Sequence, residues 1–314
     1  MSVGESQIGL ATLNDLLSVS KKSYDSCVDV VAHTHQIRGV TATTRLHYLK
    51  FDGNGQPMLS ALAECLYNRI IDYCIASRDR PEKLTTDEAA RFTKEARKLF
   101  IHPQATADDP DQTGEAGEML LYLLLEAVLD APQVVAKMGL KTNRAMEVHG
   151  SDGIHMAWNV ADKIVDVYFG EAKLYQDISS AMTKALDSID AFHAADMCRH
   201  EFKMVTKHFK HSIPSVQSAI TQLLGDGVPT SGVRINHAIL IGYNWEEFAK
   251  LPAAAVAKLA ADFRMRYLND APRLHQLLQK RFDGFARKHL RFEVFFLPFA
   301  KVQDFRDAFN QALL

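Results

Sequence analysis

An α/β protein with a mixed sheet flanked by helices is predicted by three observations. Short segments in which apolar and polar residues alternate, the period of a half-buried strand, are interleaved with longer segments whose apolar residues recur every three to four positions. One segment, Met119-Leu120-Leu121-Tyr122-Leu123-Leu124-Leu125, is apolar nearly all round, which puts a helix at the centre of the fold. Strand-like and helix-like segments continue to alternate to the end of the chain, as layered α/β domains require.

Taken in order, Ile8 to Val19 has a weak helical period, and Asp29-Val30-Val31-Ala32 reads as a short strand. Arg45 to Phe51 alternates as a strand and is broken by Asp52-Gly53-Asn54-Gly55. Leu59, Leu62, Leu66, Ile70 and Tyr73 mark a helix opened by Pro57, and Thr85-Thr86-Asp87-Glu88 starts another that runs to Phe100. His102 to Thr113, rich in aspartate and proline, reads as a loop or boundary. The predicted organisation is therefore an N-terminal, mainly helical α/β cap over residues 1–110 and a main domain over 111–314. In that domain Gly114-Glu115-Ala116-Gly117-Glu118 opens the buried helix, and Gly153 to Trp158 and Ile164 to Tyr175 form a hairpin. Ile178, Met182, Ala185, Ile189 and Phe192 mark an amphipathic helix on that sheet. Further strands are expected at Arg234–Ile241 and Arg291–Leu297, with helices at Glu246–Tyr267 and Lys301–Leu313.

Composition narrows the function. Hydrophobic residues make up 47% of the 314 and charged residues 24%, ordinary for a globular protein. No apolar run reaches a membrane span and Met1–Leu10 lacks a secretory pattern, so a cytoplasmic protein without membrane attachment is expected. The four cysteines, Cys27, Cys65, Cys74 and Cys198, form no CxxC pair, which argues for reduced thiols. A formal net charge of −2 means that any nucleic-acid contact needs a local basic patch or a partner that presents the substrate.

The chemistry sits in Gly170-Glu171-Ala172-Lys173, with Ser151-Asp152-Gly153 one hairpin upstream. On a strand, Glu171 and Lys173 point the same way, on the face that carries Val165, Val167 and Phe169. A charged pair following an apolar stripe lies where uncompensated charge is costly. With Asp152 beside it and Glu118 on the buried helix, the set matches a metal-dependent phosphodiesterase centre. Carboxylates favour Mg²⁺ or Mn²⁺ over Zn²⁺, and a lysine can orient or deprotonate the attacking water. A Glu-x-Lys alone is more simply a solvated face or an ion pair, and Glu118 alone is as simply a residue that favours the helix dipole.

In combination, Gly-Glu-x-Gly-Glu at 114–118, His-Gly-x-Asp-x-x-His at 149–155 and Gly-Glu-x-Lys-Leu-Tyr at 170–175 resemble the HamA nucleases of Hachiman-type anti-phage defence, with AbpA-like relatives. The order of helix acid, hairpin acid and strand Glu-x-Lys resembles the wider PD-(D/E)xK nuclease superfamily, with Ser151 standing where its name has proline. The resemblance runs from about Arg45 to the C-terminus and is strongest over 114–200. It implies a Mg²⁺-dependent DNA nuclease with Mn²⁺ able to substitute, acting beside a superfamily-2 helicase (HamB-like) subunit. Asp152 and Glu171 would bind the metal together with the Ala172 carbonyl. Lys173 would position or activate water, and Glu118, or Glu115 one turn earlier, would be a further ligand.

Around this set, His149 and His155 either hold the hairpin turn or orient a carboxylate or contact a phosphate, and Gln176 is a candidate for DNA contact. Lys203, Lys207 and Lys210 recur at helical spacing near Arg199, His200, His208 and His211 and read as a phosphate-facing stripe or a solvated helix face. Lys280, Arg281, Arg287, Lys288 and Arg291 carry the same alternatives, whereas Phe292, Phe295, Phe296 and Phe299 read as core. Two rival functions stand beside the nuclease. His33-Thr34-His35 after a strand could hold Zn²⁺ in a barrel metallohydrolase, but too few strands are present for a barrel. A catalytically silent nuclease-fold scaffold subunit of a DNA-processing complex is the other; the intact Asp152, Glu171 and Lys173 argue against it.

Overall fold

The computed structural model describes residues 10–33, 35–100, 114–140, 150–251 and 255–314. From the N-terminus the regular elements are α1 (Lys21–Cys27), β1 (Val28–Val31), β2 (Thr41–Leu49), α2 (Leu59–Tyr67), α3 (Ile70–Cys74) and α4 (Thr86–Phe100). They continue with α5 (Glu115–Leu129), β3 (Gly153–Asn159), β4 (Ile164–Tyr175), α6 (Ile178–Ala194), α7 (Met197–His208) and α8 (Pro214–Leu224). The last are β5 (Val233–Asn244), α9 (Val256–Gly284), β6 (Arg291–Phe299) and α10 (Val302–Ala312).

All six strands join one mixed sheet in the order β1-β2-β6-β5-β4-β3. The four inner strands run parallel, and β1 and β3 close the edges antiparallel. Strands covered on both faces read as nearly continuous apolar runs, and Ala238-Ile239-Leu240-Ile241 and Phe295-Phe296-Leu297 do so. The sheet takes strands from both sides of the boundary expected near residue 110. Thr41–Leu46 of β2 pairs with Arg291–Phe296 of β6, so the N-terminal helices are attached to the same scaffold as the hairpin. The expected loop at 102–113 lies outside the described residues.

The apolar helix α5 covers one face, burying Met119 through Leu125 against Leu174, Leu240 and Leu297. It packs closely on β4: a Cβ on Gly117 would lie 3.2 Å from Leu174 Cγ and 3.3 Å from Ala172 Cβ. On the opposite face α6 and α9 bury Ile178, Met182, Ile189, Phe263 and Leu274 against Ile239, Ile241 and Phe296. The start of α4 is a reciprocal capping box: Glu88 Oε2 accepts from Thr85 N (2.9 Å) and Oγ1 (2.8 Å), and Glu88 N donates back to Thr85 Oγ1.

Several boundaries differ from the sequence expectation, among them β2, which spans Thr41–Leu49 instead of Arg45–Phe51, and β6, which runs on to Phe299. The helix expected over Glu246–Tyr267 is a short 3-10 turn, Glu246–Lys250, followed by α9 from Val256. Leu251, which precedes Pro252, is extended with ψ 132°, as a residue before proline prefers. The helix after Pro57 is broken into α2 and α3 at Asn68-Arg69. Strand β5 extends three residues past Ile241, to Asn244. Among the described residues no helix is long and apolar enough to cross a membrane.

Candidate active site

Strand β4 outruns its neighbour. The pairing with β3 ends at Gly153–Gly170, so the following residues, Glu171 to Tyr175, pair only with β5. At this step in the sheet, Asp152 enters immediately before β3, Glu171 and Lys173 project from β4, and Glu118 comes from the first turn of α5. Together with Tyr73 from α3 and Ser188 from α6 they line one cavity of about 690 Å³. The alternation expected for β4 is present: Val165, Val167 and Phe169 pack in one core, while Leu174 packs in the core beneath α5.

Each acid is held differently. Asp152 N donates to the Gly170 carbonyl at 2.8 Å, and its Oδ2 accepts from Ala172 N at 2.7 Å, so β4 fixes both its backbone and its carboxylate. Glu171 is buried and forms an ion pair with Lys173 Nζ at 2.5 Å. Burial pushes its carboxyl up to about 7, the Asp152 charge acts in the same direction, and Lys173 and the Ser188 hydroxyl offset only part. Burial, the largest single influence, would lower Lys173, but the charge and hydrogen bond of Glu171 together with the Asp152 charge outweigh it and hold the ammonium above its ordinary range. Glu118 Oε2 accepts from the Tyr73 hydroxyl at 3.1 Å. Burial, reinforced by the Glu118 charge, keeps Tyr73 protonated far past neutral pH, so the phenol is a permanent donor.

The donor set suits an oxygen-seeking cation. Among the described residues the lining offers three carboxylates and neither histidine nor cysteine, and Asp152 and Glu171 repel each other. Among the described residues no three His, Cys, Asp or Glu are grouped tightly enough to hold a metal unaided. An ion that keeps several of its own waters, as Mg²⁺ does, needs fewer protein ligands than that.

Other expected residues fall elsewhere. Glu115 is buried on α5 but is not part of the cavity lining, whereas Glu118 is. His149 lies outside the described residues. His155 faces the core instead of the acids: its Nδ1 bonds the Ala131 carbonyl at 2.8 Å and burial lowers its pKa to about 3. Gln176 is exposed just past β4 and lines neighbouring cavities of about 780 and 520 Å³. The smaller of these is also lined by Ala172.

The lysine stripe is corrected at one position. Lys203 and Lys207 are exposed on α7 together with Arg199, but Lys210 lies past the helix end, 1% exposed, with Nζ on Gln133 Oε1 at 3.0 Å. The zinc reading finds no support. His33 and His35 stack on His275 of α9 with ring centroids 5.1 and 3.8 Å apart, no three His, Cys, Asp or Glu among the described residues are grouped to hold a metal unaided, and the sheet of six strands is open, not a barrel. Sequence pattern does not single out Ser188 or Tyr73; Tyr73 sits on an ordinary apolar helical stripe, and nothing local marks its hydroxyl.

An α/β protein whose sheet step gathers three acids and two lysines, Lys137 and Lys173, into one cavity is the class that fold and site define. The family model for HamA matches residues 24–313, and the chain belongs to the HamA family, which places it in the setting of Hachiman-type anti-phage defence. No curated protein matches it at a significant level.

Proposed function

We propose that this chain is a metal-dependent deoxyribonuclease with a PD-(D/E)xK-like centre, the effector of an anti-phage system that works beside a superfamily-2 helicase subunit. The observation that carries this reading is the convergence of Glu118, Asp152, Glu171 and Lys173, from separate segments, on one cavity. Asp152, Glu171 and the Ala172 carbonyl would hold Mg²⁺ or Mn²⁺, with Glu118 behind them. Such a cation, when bound, polarises the phosphoryl group and neutralises its charge.

The chain's own residues supply orientation and proton control. Asp152 is pinned by the Ala172 amide, and Tyr73 fixes Glu118. Because Glu171 holds Lys173 in its ammonium form, the lysine suits orienting the attacking water and stabilising developing negative charge better than removing a proton. Arg199, Lys203 and Lys207 on the exposed face of α7 offer phosphate contacts that the net charge of −2 does not preclude.

Plasmid nicking in Mg²⁺ and in EDTA, with and without the neighbouring helicase, tests the reading. Cuts that need Mg²⁺ are expected; equal cleavage in excess chelator would refute it, and no cleavage under any condition would favour a silent scaffold. Tyr73→Phe removes the donor to Glu118 and keeps the ring contact with Tyr122 at 5.2 Å. Its cleavage rate is expected to fall about 10-fold, with a melting temperature close to the wild type. An unchanged rate would mean that Tyr73 does not act through Glu118.

A further inference from the structure

Behind Asp152 lies a fully buried carboxylate that none of the chemistry above uses. Glu201, on the inner side of α7, is 0% exposed. Its Oε1 accepts from Lys137 Nζ at 2.7 Å and from Ser151 N at 2.9 Å. Lys137 Nζ in turn donates to the Ser151 carbonyl at 2.6 Å. Both peptide groups of Ser151 are thus gripped by one ion pair. The Ser151 hydroxyl, 3.1 Å from the Gly153 carbonyl and 3.3 Å from Glu201 Oε1, spans the same turn. Gly150 admits the carboxylate: its φ is +131°, and a Cβ there would lie 2.0 Å from Glu201 Oε1.

We infer that Glu201 and Lys137 are a positioning pair that fixes the Ser151–Asp152 backbone and thereby sets how tightly the acid cavity binds a divalent cation. The inference rests on the proposed role of Asp152 as a metal ligand. Its geometry is complementary to the contacts from β4. The strand holds Asp152 from one side through Gly170 and Ala172, and the ion pair holds the residue before it from the other. A ligand whose backbone is restrained on both sides does not have to be ordered when the cation arrives, and pre-organisation of this kind is what outer partners of ligands contribute. Stability alone does not account for the pair. Desolvating two charges generally cancels their attraction, so an apolar pair of similar volume would hold α7 against the 3-10 turn at Lys137–Leu140 about as well.

The test uses full-length protein, with Mn²⁺ as the probe and calorimetry as the readout. Glu201→Gln keeps the side-chain shape but leaves Lys137 charged and buried, so this variant is expected to melt lower. The double variant Glu201→Gln, Lys137→Met removes both charges and is expected to melt near the wild type. In either variant, measured where circular dichroism shows it folded, the Mn²⁺ dissociation constant is expected to rise about 10–100-fold. Mn²⁺ affinity equal to the wild type in both folded variants would overturn the inference and leave the pair a structural device. A folded wild type that binds no Mn²⁺ would overturn the metal-site reading itself, and this inference with it.

Discussion

Lys173→Ala is expected to reduce Mg²⁺-dependent cleavage on the order of 10³-fold or more, in a protein that still folds. Two losses combine. The ammonium 2.5 Å from Glu171 disappears, and with it the charge available to orient water or steady developing negative charge. Glu171 then keeps its burial and the repulsion from Asp152 but loses the group that offsets them, so its carboxyl moves further above 7 and is mostly protonated at neutral pH. A protonated carboxyl is a poor ligand, so cation binding weakens as well. The pH dependence separates the two losses. If the loss runs mainly through Glu171, raising the pH from 7 to 9 deprotonates it and recovers part of the rate. If Lys173 acts directly on the reacting groups, alkaline pH recovers nothing. Cleavage by Lys173→Ala at the wild-type rate would remove Lys173 from the mechanism and favour the scaffold reading.

The parts of this site that were legible in the sequence are those expressed by local period. The face shared by Val165, Val167, Phe169, Glu171 and Lys173 follows from strand alternation, and the burial of α5 follows from its unbroken apolar run. What local period could not supply was anything fixed by contacts between distant segments. Tyr73 and Glu118 are 45 positions apart, and Lys137 and Glu201 are 64 apart. Nothing local in the sequence marks Glu201; the packing of α7 beside Gly150 turns it inward. Lys210 shows the opposite error. Helical spacing continued the lysine stripe past His208, but α7 ends there and the chain carries Lys210 inward, where Gln133 receives it. A period predicts a face only as far as the helix that carries it.

The buried histidines give the second large effect, a loss of stability in mild acid. His47, His155 and His237 are at most 2% exposed, and burial holds each near a pKa of about 3. Their contacts suit the neutral ring: His47 Nδ1 faces the Tyr24 hydroxyl at 2.6 Å, and its Nε2 is buried with no hydrogen-bond partner. In the unfolded chain each would titrate near 6.5. The unfolded state therefore takes up protons as pH falls below about 6.5 while the folded state does not, and stability drops through the window from 6.5 towards 3. At pH 5 each contributes a loss on the order of 2 kcal/mol, about 6 kcal/mol together, which is comparable with the whole stability of a typical domain. Glu171 and Glu126 work in the opposite direction. Their carboxyls are raised in the folded state, chiefly by burial, so acidification favours folding until they are protonated in both states. His211 and His275, each lowered to about 4 chiefly by burial, add to the histidine side, so acid is destabilising overall. Urea unfolding followed by circular dichroism is expected to give a clearly lower midpoint at pH 5 than at pH 7.5. His237→Phe, among Phe169, Phe192 and Phe292, removes one titrating group and is expected to flatten that difference by about 2 kcal/mol. A midpoint that does not fall at pH 5, or a pH dependence untouched by His237→Phe, would mean that these rings are protonated inside the folded protein.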